Sequence, residues 1–172
     1  GLIEEFQAQP SEITNDAFRT YGLTLSHKHV PEMTRYSGLD RAPVFAPSVG
    51  RYAQGMLVEV PLHLWALPGK PTPKQLREAL ADFYQGERFV SVATEAETAT
   101  LQKERVGAGG YVEELDPEAM NNTNNMKLFV FGNEVTQQAR LVALLDNLGK
   151  GASGAAVQNL NIALGLDESA GL

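Results

Sequence analysis

The sequence contains no cysteine. This absence excludes disulfides, thiolate metal sites and a cysteine nucleophile among these residues. Basic residues are also few: 14 lysines and arginines stand against 21 aspartates and glutamates, which gives a net charge of −7. An acidic chain without basic clusters is not expected to bind nucleic acid. Because the chain has no apolar run long enough to cross a bilayer and no signal-peptide pattern, we expect no membrane partner and a cytoplasmic location.

The residues that are present indicate an ordinary folded domain. Hydrophobic residues make up 43% and charged residues 20% of the 172 positions, which is enough for one sizeable core. Residues 1–16 place Leu2, Ile3 and Phe6 at helical spacing with no helix-start signal before them. We therefore interpret the first residue as a cut through a longer protein.

Two of the three histidines, His27 and His29, lie two residues apart. The loose alternation of residues 18–26 predicts a strand that leads into this pair. Since residues i and i+2 of a strand point to the same side, both imidazoles would face one way and Lys28 the other. The pattern predicts a histidine pair on one face of a strand.

Pro31 predicts that a helix begins immediately after the histidine pair. The helix would cover residues 31–36 and end at Ser37-Gly38, with Glu32 in its first turn, where the helix dipole favours a carboxylate. We therefore expect two imidazoles and a carboxylate to converge at a strand-to-helix junction.

The rest of the chain predicts an α+β fold, with a mixed, largely antiparallel sheet and helices on one face. A capping box at Thr72–Gln75, with proline at the first helical position, begins a helix that ends near Gly86. Because this helix lies between two predicted strands, the order of the elements predicts a strand–helix–strand crossover unit. The polar, glycine-rich residues 95–125 predict long loops. Further strands are predicted at 42–46 (an edge strand), 55–67, 89–94, 127–131 and 138–145, and a last helix at 151–164.

The strand predicted at 55–67 has two different faces. One is continuously apolar and the other is mixed, so one face would belong to the core and the other to an interface. Pro61 cannot donate to a β-ladder, which predicts a missing neighbour or a bulge at that point. The apolar face contains Met56, Val58, Val60, Leu62 and Leu64.

The glycines 149, 151 and 154 match the pattern G-x-G-x-x-G. A dinucleotide fold needs a second strand and an acidic residue further on, but only eighteen residues follow Gly154 and none form a strand pattern. We interpret the motif as a helix start with small residues for close packing. Asp146-Asn147, at the end of a predicted strand, is a candidate binding group. The asparagines near residue 122 predict a loop whose side chains cap its own backbone.

Two alternatives remain open from these residues alone. A metal-dependent enzyme could use His27 and His29 with Glu32, and His63 as a third ligand. The spacing misses the Gly-x5-His-x-His-x3–4-Glu motif of jelly-roll metal enzymes by one residue on each side. A non-catalytic interaction domain would instead bury the mixed face of residues 55–67 in a partner.

Several of these segments occur together in one known family. Tyr21-Gly22, followed by His-Lys-His-Val-Pro-Glu at 27–32, resembles the His-Arg/Lys-His-x-Pro-Glu segment of N-acetyl-γ-glutamyl-phosphate reductases. Residues 146–159, Asp-Asn-Leu-Gly-Lys-Gly-Ala-Ser-Gly-Ala-Ala-Val-Gln-Asn, resemble the closing motif of the same family. Residues 47–60 resemble the strand that follows its substrate loop. The resemblance spans nearly the whole chain.

The resemblance implies an oxidoreductase that reduces an acyl-phosphate substrate with NADPH in arginine biosynthesis. The implied fold is the C-terminal domain of glyceraldehyde-3-phosphate dehydrogenase-like enzymes, and a homo-oligomer, dimer or tetramer, is expected. Residues 1–146 would be the substrate-binding and oligomerisation domain. Residues 147–172 would be a C-terminal helix that packs on the protein's own N-terminal Rossmann domain, which binds NADP.

The resemblance also implies site residues. His27 would be the catalytic acid/base. The residues implied in substrate binding or orientation are His29, Glu32, Tyr21, Arg51 and Gln54. Those implied in cofactor binding are Asn147, Gly149 and Gly151, and no metal is implied.

The sequence departs from the family pattern in two ways. Many members carry arginine where this chain has Gln54, and Arg51 is the candidate replacement for that cation. The Rossmann domain and the cysteine of the Gly-Cys-Tyr-Pro-type segment are also absent from these residues. We therefore expect this chain to be about the C-terminal half of such a reductase and to be inactive alone.

Overall fold

A computed structural model describes residues 18–102 and 115–172. The chain divides into two compact units, residues 1–53 and residues 54–172. The helical spacing predicted near the first residue lies outside the described residues. No helix in the described ranges is long and apolar enough to cross a membrane.

The described part of the first unit, residues 18–53, contains two short strands and one helix. Strand β1 (Phe18–Thr20) pairs antiparallel with β2 (Ser48–Gly50), and helix α1 (Val30–Ser37) lies between them in the sequence. The prediction of a strand over 18–26 was therefore wrong beyond Thr20. The physical reason is that Gly22 and Leu25 have positive φ values of 67° and 57°, which an extended strand does not accommodate.

Two further predictions for this unit have different outcomes. The edge strand predicted at 42–46 is wrong, because the chain there is irregular and the pairing residues come later, in β2. The helix after the histidines is confirmed. Pro31 lies in its first turn with Glu32, and Gly38 ends it in the left-handed conformation, at φ 67°. Local signals thus placed α1 correctly.

The second unit is built on a four-stranded sheet. Its strands are β3 (Met56–His63), β4 (Val90–Val92), β5 (Met126–Asn133) and β6 (Gln138–Leu145), in the order β3-β6-β5-β4. Strand β6 is antiparallel to both of its neighbours, and β4 is parallel to β5. The predicted mixed, largely antiparallel sheet is confirmed.

Within residues 54–102 and 115–172, three α-helices accompany this sheet and complete the predicted α+β fold. They are α2 (Pro73–Phe83), α3 (Glu95–Leu101) and α4 (Gly154–Leu164). A 3₁₀ turn, Leu64–Ala66, follows β3, and a π-helical turn, Gly149–Ser153, precedes α4.

Helix α2 connects β3 to β4, which run in the same direction at opposite edges of the described sheet. The predicted crossover unit is therefore confirmed. The helix begins with the predicted capping box: Thr72 Oγ1 accepts from the Gln75 N–H, and Gln75 Oε1 accepts from the Thr72 N–H. Pro73 also packs against β5, where a Cβ added to Gly132 would lie 2.2 Å from its Cγ.

Helix α3 lies inside the segment predicted to be long loops, so that prediction was wrong for residues 95–101. The helix begins with a second capping box, in which Thr94 and Glu97 exchange side-chain and backbone hydrogen bonds. The Thr-x-x-Glu pattern was visible in the sequence as a start signal.

The core of this unit joins the sheet to α3 and the segment before β5. The buried residues Ala93, Phe129, Val142 and Leu144 form one cluster, against which Leu57, Leu101 and Met120 pack. Leu57 belongs to the mixed face of β3, so the mixed face contributes to the core. On the apolar face, Val58 and Val60 are 46% and 47% exposed. The prediction that the mixed face is the interface is therefore corrected.

Strand β3 lies at one edge of the described sheet. Its register with β6 is unbroken from Met56↔Leu145 to His63↔Gln138. Of the two alternatives predicted at Pro61, a missing neighbouring strand or a bulge, the structure therefore has the missing neighbour.

Candidate functional site

The two histidines meet in a turn and not on a strand. The segment 21–29 is irregular, with turns at residues 23–24 and 28–29, and His29, the residue preceding α1, has helical backbone angles of φ −82° and ψ −12°. The ring centroids of His27 and His29 are nevertheless 5.0 Å apart. The predicted convergence is confirmed, but its mechanism was wrong, since a turn and not strand alternation brings the imidazoles together.

Glu32 contacts the second histidine. His29 Nδ1 lies 3.0 Å from Glu32 Oε2, and the two side chains are 52% and 66% exposed. A surface pair of this kind contributes little to stability. Its effect is geometric, because the carboxylate holds the orientation of the His29 ring.

His27 is half-buried and has contacts on several sides. Its Nδ1 accepts a 3.3 Å hydrogen bond from the backbone N–H of His29. The Tyr21 ring lies edge-on with its centroid 5.9 Å away, and the Phe45 ring lies 5.0 Å away. Tyr21 is thus beside His27. Phe45 was missed, because its segment was interpreted as an edge strand.

The remaining predicted residues are divided between the two units. Arg51 follows β2 in the first unit, together with His27, His29, Glu32 and Tyr21. Gln54, Asn147, Gly149 and Gly151 belong to the second unit. The structure therefore places the predicted site residues in two groups, and each group is described by itself.

The second group is organised around Asp146, which is only 2% exposed. Its Oδ1 accepts from the Leu148 N–H at 2.8 Å, and its Oδ2 accepts from the Asn122 N–H at 2.8 Å and from Gln54 Nε2 at 3.2 Å. Burial raises the pKa of this carboxyl, but the backbone donors of Leu148, Asn122 and Gly149 outweigh it and hold the pKa below its ordinary value. Asp146 is therefore a buried anion stabilised by oriented N–H groups.

Asn147 continues this network. Its Oδ1 accepts a 2.7 Å hydrogen bond from the Gly55 N–H. Gly55 has a φ of 110°, and a Cβ there would lie 2.4 Å from the Pro117 carbonyl oxygen. Only glycine fits this position, since the backbone angle and the close contact both exclude a side chain.

The asparagine loop before β5 contacts other segments, which corrects the prediction that its side chains cap its own backbone. Asn121 Nδ2 donates to the Gln54 carbonyl at 3.2 Å, and Asn124 Nδ2 donates to Gln158 Oε1 at 2.9 Å. Asn122 Oδ1 accepts from Gln54 Nε2 at 3.1 Å. The loop therefore joins the start of β3 to the C-terminal helix.

The glycine motif at 149–154 packs tightly against that loop. A Cβ at Gly149 would lie 2.7 Å from the Thr123 carbonyl oxygen, and one at Gly154 would lie 2.3 Å from Asn124 Oδ1. Gly151 is less confined, at 3.3 Å from the Asp146 carbonyl oxygen. This geometry agrees with the interpretation of the motif as a helix start chosen for close packing.

Lys150 is a partly buried cation beside this turn. Its Nζ donates to Gln158 Oε1 at 2.6 Å and lies 5.6 Å from the centroid of the Phe89 ring. Burial lowers the pKa of Lys150, while the charges of Glu168 and Glu87 act in the opposite direction. The sequence analysis did not identify this residue.

The described residues do not support the metal-dependent alternative. Among them, no three histidine, aspartate or glutamate side chains are grouped so that they could hold a metal ion. His63, the proposed third ligand, is in the second unit, where its ring lies beside that of Trp65, with centroids 5.4 Å apart and the planes tilted by 35°.

Comparisons with known proteins agree with the family resemblance. The family model described as "Semialdehyde dehydrogenase, dimerisation domain" matches residues 5–147. The N-acetyl-gamma-glutamyl-phosphate reductase 2 of Nostoc sp. is 50% identical over 170 residues, which cover 98% of this chain and 50% of that protein.

Two further relatives carry the name N-acetyl-gamma-glutamyl-phosphate reductase. The protein of Trichormus variabilis is 49% identical over 98% of this chain and 50% of its own length. The protein of Brucella anthropi is 47% identical over 94% of this chain and 48% of its own length. The chain thus spans about half the length of the curated relatives it matches. With a family model matched over residues 5–147 and an α+β fold of the expected kind, the chain belongs to the semialdehyde dehydrogenase dimerisation-domain family.

Proposed function

We propose that this chain is the substrate-binding and dimerisation half of an NADPH-dependent N-acetyl-γ-glutamyl-phosphate reductase. Such an enzyme converts N-acetyl-glutamyl 5-phosphate to N-acetyl-glutamate 5-semialdehyde in arginine biosynthesis. The observation that carries the proposal is 50% identity to a protein of that name over 98% of the chain. The His27 cluster supports it, because a half-buried imidazole with an oriented neighbour is suited to acid/base work.

In this proposal His27 exchanges or shares a proton with the reacting group. Tyr21 and His29 orient the His27 ring from two sides, and Glu32 holds His29. Arg51 supplies a cation for a charged end of the acyl-phosphate substrate. The nucleophilic cysteine and the Rossmann domain would come from residues outside this sequence.

Asn147 fits a role at the nicotinamide end of the cofactor. Its Oδ1 is held by Gly55, while its Nδ2 makes no hydrogen bond within the described ranges and is free to donate. NADPH, when bound, supplies the hydride. The lack of side chains at Gly149 and Gly151 lets the following turn pack closely on the Thr123 carbonyl and on Asp146. Residues 147–172 would in addition pack on the nucleotide-binding domain.

The half-exposed valines of β3 provide a surface for a second copy of the chain. Val58 and Val60 lie on one apolar face at 46% and 47% exposure, and the family is described as a dimerisation domain. Burying such a face removes apolar area from water, which favours association.

This surface is tested by Val60→Lys, with Val135→Lys as the matched control, because Val135 is 94% exposed on the turn after β5. Val60→Lys is expected to shift the sedimentation equilibrium toward monomer, while Val135→Lys leaves it unchanged. Equal behaviour of the two variants contradicts this interface.

Catalysis is tested on the complete gene product that contains this sequence. His27→Ala is expected to lower kcat for N-acetyl-glutamyl phosphate reduction by about 100-fold or more, the typical contribution of a positioned acid/base. His63→Ala is the control and should retain activity. If the His27→Ala variant kept the kcat of the unsubstituted enzyme, the role assigned to His27 would be contradicted.

The isolated 172 residues are expected to be inactive with acyl phosphate and NADPH, because they contain no cysteine. If the complete gene product also shows no turnover, the alternative of a non-catalytic oligomerisation domain replaces the proposal.

A further inference from the structure

The side chain of Gln158, in α4, joins three other segments of the second unit. Its Oε1 accepts from Lys150 Nζ at 2.6 Å and from Asn124 Nδ2 at 2.9 Å, and its Nε2 donates to Glu168 Oε1 at 2.5 Å. Lys150 lies in the π-helical turn before α4, Asn124 in the loop before β5, and Glu168 in the segment after α4. Both polar atoms of the Gln158 amide group therefore have partners.

Glu168 belongs to a segment that is itself fixed to α4. Asn161 is only 5% exposed, and its Nδ2 donates to the carbonyl oxygen of Glu168 at 3.2 Å and to that of Ala170 at 2.9 Å. A buried amide group that donates both of its hydrogens to the main chain restricts the path of that chain. The acceptor that Gln158 uses is thus held in place by α4.

Lys150 lies in a turn that is closed by its own backbone hydrogen bonds. The Gly151 N–H donates to the Asp146 carbonyl at 2.8 Å, and the Ser153 N–H donates to the Leu148 carbonyl at 3.1 Å. These two bonds enclose Lys150 from both sides. A change in the position of Lys150 therefore moves the residues before it as well.

We propose that the hydrogen bond from Lys150 to Gln158 fixes the orientation of this turn, so that Lys150 is a positioning residue for Asn147 and thereby sets the affinity for NADPH. Asn147 is held on one side by the Gly55 N–H, and the turn holds it on the other. The position of the turn is argued from the contacts of residues 54–172 alone, whereas the effect on NADPH rests on the function proposed above.

The surroundings of Lys150 favour this role over direct contact with an anionic group of the cofactor. Its Nζ donates to Gln158 Oε1 and lies 5.6 Å from the centroid of the Phe89 ring. The charges of Glu168 and Glu87 also act on the ammonium group. A phosphate that approached Lys150 would be repelled by these two carboxylates. The cation is therefore directed at α4.

The position of the turn is tested by hydrogen exchange in the complete gene product. Lys150→Met removes the donor, so the amides of Gly151 and Ser153 should exchange about tenfold faster, while those of α2 stay unchanged. Lys74→Met is the matched control, because Lys74 is an exposed lysine that pairs only at the surface with Glu78. Unchanged exchange in the turn of Lys150→Met, or the same acceleration in Lys74→Met, overturns the inference.

The effect on the cofactor is tested by NADPH titration of Lys150→Met, Gln158→Leu and the double variant. Each single substitution should weaken NADPH binding by about tenfold, and the double variant should lose no more, because both break the same hydrogen bond. Normal NADPH binding by Gln158→Leu would show that the cation acts without Gln158 and would overturn the inference.

The KM for the acyl phosphate separates positioning of Asn147 from a general loss of structure. It should stay unchanged in Lys150→Met, since Asn147 is placed at the cofactor. Equal weakening of NADPH and acyl phosphate overturns the positioning role. If the unsubstituted product binds no NADPH, the proposed function fails, and hydrogen exchange still decides whether Lys150 holds the turn.

Discussion

Asn147 Oδ1 accepts a 2.7 Å hydrogen bond from the backbone N–H of Gly55, a residue 92 positions earlier in the chain. Gly55 precedes β3 and Asn147 follows Asp146 at the end of β6, and these two strands pair at Met56↔Leu145. The pairing of β3 with β6 therefore helps to set the position of Asn147, although Asn147 itself lies in the turn that follows β6.

Replacing Gly55 with alanine should be strongly destabilising. The new Cβ would meet the Pro117 carbonyl oxygen at 2.4 Å, at a φ of 110°, and we expect a loss of about 3 kcal/mol or more in the free energy of unfolding. Urea denaturation measures this loss. Gly86→Ala is the matched control, because Gly86 has a φ of 84° and nothing within 4 Å of its Cβ position; it should cost about 1 kcal/mol. Equal losses would contradict the close-contact argument.

Asp146→Asn should destabilise the second unit by about 3 kcal/mol. Both carboxylate oxygens accept from backbone N–H groups, those of Leu148 and Asn122. Whichever way the asparagine amide is turned, its NH₂ group faces one of these donors. Chemical denaturation at neutral pH measures the effect. Asp82→Asn, at an exposed position of α2, is the control and should change the free energy of unfolding only slightly. If Asp146→Asn changed it equally little, the hydrogen bonds around Asp146 would not be needed for stability.

The stability contributed by Glu97 should disappear in acid. Its hydrogen bonds with Lys127 and Thr94 lower the pKa of Glu97 from 4.5 to about 2. Because the folded pKa is depressed, the contribution is present above pH 4.5 and is lost as the pH falls toward about 2. The side chain is 45% exposed, so solvent screening reduces its size.

The measurement is the difference in unfolding free energy between the wild-type chain and Glu97→Gln, followed from neutral pH into acid. Taking this difference removes the acid sensitivity that Asp146 also confers, since the pKa of Asp146 is lowered in the same direction. The difference should shrink with falling pH. A difference independent of pH would contradict the assignment.

Thr94→Ala should cost about 1 kcal/mol and loosen the start of α3. Thr94 Oγ1 accepts from the Glu97 N–H at 3.2 Å, and alanine leaves that donor without its partner. Amide hydrogen exchange should accelerate in the first turn of α3 but not in α2, whose own capping box at Thr72 is intact. Uniform acceleration in both helices would point to global destabilisation instead.

Local signals in the sequence were sufficient for α1, which has a proline at its start and Gly38 at its end, and for the start of α2, which has a proline and a capping box. The crossover from β3 to β4 followed from the order of the elements. The turn before α1 was not predictable in the same way, because the positive φ of Leu25 is unusual for that residue. The histidine pair was identified, but the means of bringing its rings together was not.

The network around Asp146 could not be deduced from the sequence. Gln54 and Asp146 are 92 positions apart, and Asn122 joins them from a third segment. The position of Asp146 after a predicted strand marked it as a candidate binding group, but nothing local indicated that Gln54 and Asn122 would be its partners. Their association depends on the register of β3 with β6, which only the folded sheet specifies.

Pro61 limits how this sheet can grow. It lies within β3, the outermost described strand on its side, with an unbroken ladder to β6, and a ring nitrogen offers no hydrogen to an incoming strand. A strand from another molecule that paired with this edge would therefore lack a hydrogen bond at Pro61, which disfavours fibril-like growth of the sheet. The contact proposed above between two copies of the chain is of a different kind, face-on packing of side chains, for which Val58 and Val60 provide apolar area.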